Sequence, residues 1–191
     1  MAFPLVAAVC TKSEVIVSGV DFSDSQGDKE VVDVLIRMGA DIEKDVEGNR
    51  LVVHGGKPLH GIRIDMNLIP DSLPALSVAA AYAQGDTVFT DLATCESRRP
   101  TGSPSCRSCL PPAAPEVDIT SDTMAVHGGR PLTGMSVPSY GDHRVAMAMA
   151  VCGLLSDGEM RIQDAECADV SFPNFYKIMN RVGAGFELKE E

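Results

Sequence analysis

The sequence predicts an α/β fold assembled from repeated units. Two observations point there. Strand and helix patterns alternate along the amino-terminal half, and a motif met early recurs later at a constant offset. Val15 to Val20 has the alternation and β-branching of a strand. Asp28 to Met38 places Val31, Val32, Leu35 and Met38 at helical spacing and stops at Gly39. Further strands are predicted at Asp41 to Glu43, Asn49 to His54 and Ile62 to Met66. Asp71 to Ala83 reads as an Ala-rich helix closed by Gly85.

Val53-His54-Gly55-Gly56-Lys57-Pro58-Leu59, with Gly61, returns as Val126-His127-Gly128-Gly129-Arg130-Pro131-Leu132, with Gly134. One α/β unit has therefore been copied, so units pack against their neighbours. At least two are expected, with a third begun by a helix at Asp142 to Leu155 and ended at Phe172 to Leu188. Between the copies, Thr94 to Pro115 stands where an amphipathic helix would fall, but Pro100, Pro104, Pro111, Pro112 and Pro115 forbid a continuous one. That stretch is either an insertion or an altered sequence.

With 191 residues, 45% of them hydrophobic, the chain can bury one substantial core. A net charge of −11 disfavours nucleic acid or an anionic membrane as partner, while leaving room for a local basic pocket. No run is long enough to span a membrane and Met1 to Cys10 lacks the basic start of a secretory signal, so a cytoplasmic location is expected. Cys10, Cys152 and Cys167 sit singly in apolar surroundings, as buried free thiols do. Cys106 and Cys109 have knuckle spacing, but without a second pair they assign no metal site.

Three helix starts carry the chemistry. Asp65-Met66-Asn67-Leu68-Ile69-Pro70-Asp71 ends a strand and sets Asp71 at a helix N-terminus, as a ligand or as a plain cap. Gly141-Asp142-His143-Arg144 opens the next helix, with Asp142 as its cap and Arg144 as a fork-shaped anion donor. Ser171-Phe172-Pro173-Asn174-Phe175 reads as a third start, Ser171 capping and Pro173 in the first turn.

In this order the three starts resemble the enolpyruvylshikimate-phosphate synthase family of enolpyruvyl transferases. Ser25-Gln26-Gly27-Asp28 and Leu35 to Ala40 fit as well, and the resemblance runs from about Phe3 to Glu187. It implies an inside-out α/β barrel domain, here residues 1–191, whose amino-terminal partner domain is missing, because family members are about twice this length. It also implies transfer of the enolpyruvyl group of phosphoenolpyruvate to the 5-hydroxyl of shikimate 3-phosphate, by addition and then elimination of phosphate, with no metal or cofactor.

Carried over residue by residue, Asp71 matches the carboxylate that binds the shikimate hydroxyls and takes the attacking proton. Arg144 matches an arginine that grips phosphoenolpyruvate, and His143 is structural. Thr94 and Arg98 fall at further substrate-binding positions. The chain departs from the family after Leu92-Ala93-Thr94-Cys95, where an Arg-x-Lys-Glu-(Ser/Thr)-Asp-Arg motif belongs and Glu96-Ser97-Arg98-Arg99-Pro100-Thr101-Gly102 stands instead. Arg98 takes the place of the Lys, while Arg99 and Gly102 replace the Glu and the second Arg. Codons can be chosen for Cys95 to Leu110 that restore the motif when read one register over, which makes 94–115 a candidate double frameshift. Val170 also stands where many members have Lys.

The nearest alternative is the related transferase that acts on UDP-N-acetylglucosamine. A non-catalytic remnant domain is a third reading. Alone, the chain is expected to be inactive.

Overall fold

Three helices, apolar on nearly every side, form the centre of the molecule. The structure is a computed structural model that describes residues 1–23, 28–92 and 116–189. The three helices are α1 (Ala2–Cys10), α3 (Leu73–Tyr82) and α4 (His143–Leu155), and each packs against the other two. In α3 the buried run extends from Leu73 to Ala81, and in α4 from Val145 to Cys152. A helix with no polar stripe belongs in the interior rather than on a surface. Its alanines, among them Ala79, Ala80, Ala146 and Ala150, keep the trio close. Large side chains such as Leu5, Leu73 and Leu76 fill the space between, each contributing about 1.5–3 kcal/mol on burial.

The sheets wrap this trio. The first has the order β1 (Glu14–Ser18), β3 (Arg50–His54), β2 (Asp41–Asp45), all antiparallel, with α2 (Asp28–Arg37) beside it. The second has the order β4 (Arg63–Asp65), β5 (Asp86–Thr90), β7 (Met124–His127), β6 (Val117–Ile119), in which β4 runs parallel to β5. Two short parallel pairs complete the set. These are β8 (Leu132–Thr133) with β10 (Ser156–Asp157), and β9 (Ser136–Pro138) with β11 (Arg161–Gln163). The last helix is α5 (Phe175–Arg181).

The repeat read from the sequence is a repeat of structure. Glu14 pairs with His54 as Asp86 pairs with His127, and β4 lies along β5 as β9 lies along β11. Its glycines mark close approaches. A Cβ on Gly55 would come within 2.0 Å of the Ala8 carbonyl, and one on Gly128 within 2.2 Å of Ala83 O. The next residue donates its N–H back to the central helix, Gly56 to Val9 O at 3.0 Å and Gly129 to Ala81 O at 3.2 Å. Gly56 and Gly129 sit at φ +86° and +84°, where L side chains are strained. The His-Gly-Gly turn thus clamps the last turn of α1 and of α3.

Several elements differ from the sequence reading. Helix α1 was not expected, because an all-apolar run carries no period to betray it. The helix expected from Asp71 begins as a 3-10 turn over Pro70–Ser72 and becomes α-helical only at Leu73. The start expected at Ser171 lies later, since α5 begins at Phe175 behind Asn174 at φ 61°. Ser171 instead ends the 3-10 turn Ala165–Val170, and Pro173 precedes the helix. Cys10 and Cys152 are buried, and Cys167 is half-buried. The segment 94–115 lies outside the described residues, as do Ser25, Gln26 and Gly27. Among the described residues no helix is long and apolar enough to cross a membrane.

Candidate functional site

The turns that lead into the central helices deliver the site. All three helices begin at the same end, where a cleft of about 410 Å³ opens between Phe3 of α1, Asp71 ahead of α3, Arg144 of α4 and Phe172. Each of the turns has its own local cause. Asp65 accepts the Asn67 N–H at 2.9 Å, folding the chain back toward Pro70. Tyr140 and Gly141 both take positive φ, 57° and 67°. The Ser139 hydroxyl donates to Asp164 O at 3.2 Å and accepts from the Gly141 N–H at 3.1 Å. That turn points Asp142 back along α4.

Asp142 is the N-cap, accepting the Arg144 N–H at 2.9 Å. The same carboxylate takes the Arg144 side chain in a fork, Nε to Oδ1 at 3.1 Å and Nη2 to Oδ2 at 2.9 Å. The remaining arm of the guanidinium, Nη1, donates to Asp71 Oδ1 at 2.5 Å. One arginine is therefore held by two carboxylates of opposite character. The Asp142 side chain is 7% exposed, whereas that of Asp71 is 83% exposed. Burial alone would raise the Asp142 carboxyl, but hydrogen bonds from the Arg144 side chain and backbone hold it below the usual range. The hydrogen bonds that Arg144 donates to Asp142 push its guanidinium upward, against partial burial, and Asp71 adds to the shift. The guanidinium is permanently charged and fixed in direction.

Asp71 is thus no cap. It accepts no hydrogen bond from the start of α3 and reaches across to α4 instead. Of the residues singled out in the sequence, Asp71 and Arg144 meet directly, and His143 lines the same cleft. Ser171 and Phe172 reach it from the turn before α5, which brings the third motif to the site even though its helix starts later. Thr94 and Arg98 lie outside the described residues. The grip of Asp142 on the Arg144 side chain went unread. The Asp-x-Arg spacing at a helix start was its signal, since a cap at that position faces the side chain two residues on.

The fold defines the class. An EPSP synthase structure from Acinetobacter baumannii matches with a TM-score of 0.85 and 29% identity over 99% of this chain and 46% of that one. The enolpyruvyl transferase NikO from Streptomyces tendae shares the fold at a TM-score of 0.71 and 17% identity, covering 95% of this chain and 42% of that one. The molecule is therefore an α/β domain of the enolpyruvyl transferase type.

Sequence comparison narrows the class. The 3-phosphoshikimate 1-carboxyvinyltransferase of Methanocella arvoryzae is 36% identical over 187 residues, 98% of this chain and 44% of the relative. That of Deinococcus radiodurans is 36% identical over 97% of this chain and 42% of the relative. The model of the EPSP synthase (3-phosphoshikimate 1-carboxyvinyltransferase) family matches residues 1–179, and the chain belongs to that family. It spans less than half the length of these relatives.

Proposed function

We propose that the chain forms one wall of a site for enolpyruvyl transfer from phosphoenolpyruvate to the 5-hydroxyl of shikimate 3-phosphate. The observation that carries this reading is the Arg144 guanidinium, held rigid by Asp142 and shared with Asp71 at the mouth of the cleft. Three helix N-termini converge there, each presenting the positive end of its dipole. A carboxylate or phosphate suits such a place on a protein that otherwise carries a net charge of −11.

The pairing of Asp71 with Arg144 has a chemical consequence. An anion arriving at Nη1 competes with Asp71 for the same donor. The displaced carboxylate is then an ionised acceptor beside the ligand, which is what proton abstraction from a hydroxyl requires. The further residues of the site would come from Thr94 and Arg98 and from a partner domain that closes the open side of the cleft. Because the chain spans under half of its relatives, it binds in this reading without turning over.

Calorimetric titration of the chain with phosphoenolpyruvate tests the assignment. Arg144→Ala should abolish binding, while Asp71→Asn should leave it intact or tighten it, because Nη1 is then free of a competing charge. Binding that ignores Arg144 would sink the proposal. Competition between shikimate 3-phosphate and UDP-N-acetylglucosamine separates this reading from the sugar-nucleotide alternative, and displacement by the latter alone would reverse it.

A further inference from the structure

On the reading of the cleft as a phosphoenolpyruvate site, we infer that the Ser72 hydroxyl is a second donor to the anion that Arg144 receives, and that it lets the ligand displace Asp71. The buried polar side chains among the described residues are Ser72, Ser77, Thr87, Thr90, Ser139 and Asp142. Four of them are satisfied within the protein. Ser77 donates to Leu73 O at 2.7 Å, Thr90 to Ile64 O at 3.4 Å and Ser139 to Asp164 O at 3.2 Å, while Asp142 holds Arg144. Thr87 Oγ1 has no partner and is shut off from solvent. Ser72 is different, since its residue is only 7% exposed and yet lines the cleft. Its hydroxyl has no hydrogen-bond partner among the described residues. A hydroxyl withdrawn from water without a partner costs free energy, which a ligand oxygen in the cleft would relieve.

The local backbone explains the unused group. Ser72 stands at the N-cap position of α3, where a serine ordinarily turns its oxygen to the first N–H groups of the helix. That geometry needs an extended residue. Ser72 sits instead at φ −88° and ψ −5°, because the 3-10 turn Pro70–Ser72 runs straight into the helix. The backbone nearby has little else to give an anion. Pro74 carries no N–H, the Ser72 N–H donates to Ile69 O at 3.0 Å, and the Leu73 N–H donates to Pro70 O. Of the donors from Ser72 to Pro74, the one left for a ligand is the hydroxyl.

The neighbouring residue shows what that donor is for. Asp71 occupies the Nη1 arm of Arg144. A ligand oxygen that merely took its place would exchange one charge-assisted hydrogen bond for another, with little gain. Displacement becomes favourable when the same anion also reaches a donor that the ligand-free protein leaves unused. Ser72 and Arg144 line one cleft of about 410 Å³. A carboxylate or phosphate has oxygens enough for both, one at Nη1 and a second accepting from Ser72 at the positive end of α3.

Calorimetric titration of the 191-residue chain with phosphoenolpyruvate, and with inorganic phosphate as a minimal anion, is paired with urea unfolding. Ser72→Ala should weaken phosphoenolpyruvate binding about tenfold or more. Its unfolding midpoint should stay where the parent's is or rise, because the substitution removes a buried hydroxyl that the ligand-free protein does not use. A midpoint that falls means that the protein itself holds the hydroxyl, and overturns the inference. Equal affinity of parent and Ser72→Ala, with binding still lost in Arg144→Ala, also overturns it while leaving the phosphoenolpyruvate reading in place. A parent chain that takes up neither anion removes both together.

Discussion

In the role proposed for Arg144, what counts is that its three side-chain donors are directed before any ligand arrives. Asp142 supplies that order, and its two roles can be separated by substitution. Asp142→Ala removes both the cap and the grip, so the domain should lose about 0.5–2 kcal/mol of stability, the usual worth of an N-cap. Asp142→Asn keeps an N-cap oxygen for the Arg144 N–H but gives up the charged fork, so it should stay near parental stability. Both variants should bind phosphoenolpyruvate about tenfold or more weakly, measured by calorimetry beside a urea unfolding curve. If Asp142→Asn binds as tightly as the parent, the fork does not orient Arg144. The sequence made Asp71 and Arg144 visible because motif order set them at helix starts. Their mutual contact stayed hidden, since it joins positions 73 residues apart that only the packing of α3 against α4 brings together.

Helices α1, α3 and α4 are legible to very different degrees, although they are equivalent in space. Helix α4 announces itself through its Asp142 cap, α3 through Pro70 and its alanines, and α1 through nothing, because a segment buried on all sides has no polar face to give it a period. Among the strands, β1 to β4 were legible from their alternation and β7 through the repeat, whereas β5 and the short parallel pairs went unread. At this scale the His-Gly-Gly turn can be tested directly. Gly128→Ala would drive a Cβ to 2.2 Å from Ala83 O and 2.3 Å from Ala80 O, acceptors of the α3 terminus that cannot retreat without loosening the helix. Thermal unfolding should show a loss of about 2–3 kcal/mol, and an unchanged midpoint would contradict the packing described. The histidine of the same turn ties its sheet together. His127 bridges Asp86 on β5 through Nδ1 at 2.8 Å and Asp118 on β6 through Nε2 at 3.1 Å. Glu116 and Arg130 form an ion pair nearby, and α3, which packs on β7, has no charged side chain. The hydrogen bonds to Asp86 and then Asp118 raise His127 above its ordinary value of 6.5. A raised folded-state value means that the stabilisation is complete below the ordinary value and fades as pH climbs through the folded one. The stability difference between parent and His127→Gln should therefore shrink as pH rises from about 6 toward 9. A difference that stays constant or grows would show that the bridge does not titrate as described.

At the scale of the whole molecule, the described residues bury one large core and leave the candidate cleft open to solvent. Among the described residues the core forms because three apolar helices bury one another and the sheets cover them. Among the described residues the cleft is lined by the three helix starts and by Ser171 and Phe172, and the exposed apolar side chains Leu68 and Tyr140 flank the turns that deliver Asp71 and Asp142. Enolpyruvyl transfer needs water kept away from a polarised enol ether and charge balanced around two anionic ligands, which a half-open cleft cannot supply. The 191-residue chain should accordingly bind phosphoenolpyruvate through Arg144 and yet release no phosphate when incubated with it and shikimate 3-phosphate. Phosphate release followed over hours, at protein concentrations far above those used for an active enzyme, gives the measurement its sensitivity. A trace of contaminating host enzyme would persist in an Arg144→Ala preparation, so that variant is the control. Release that disappears with Arg144→Ala would mean that this half of the architecture performs the transfer on its own, and the requirement for a closing partner domain would fall.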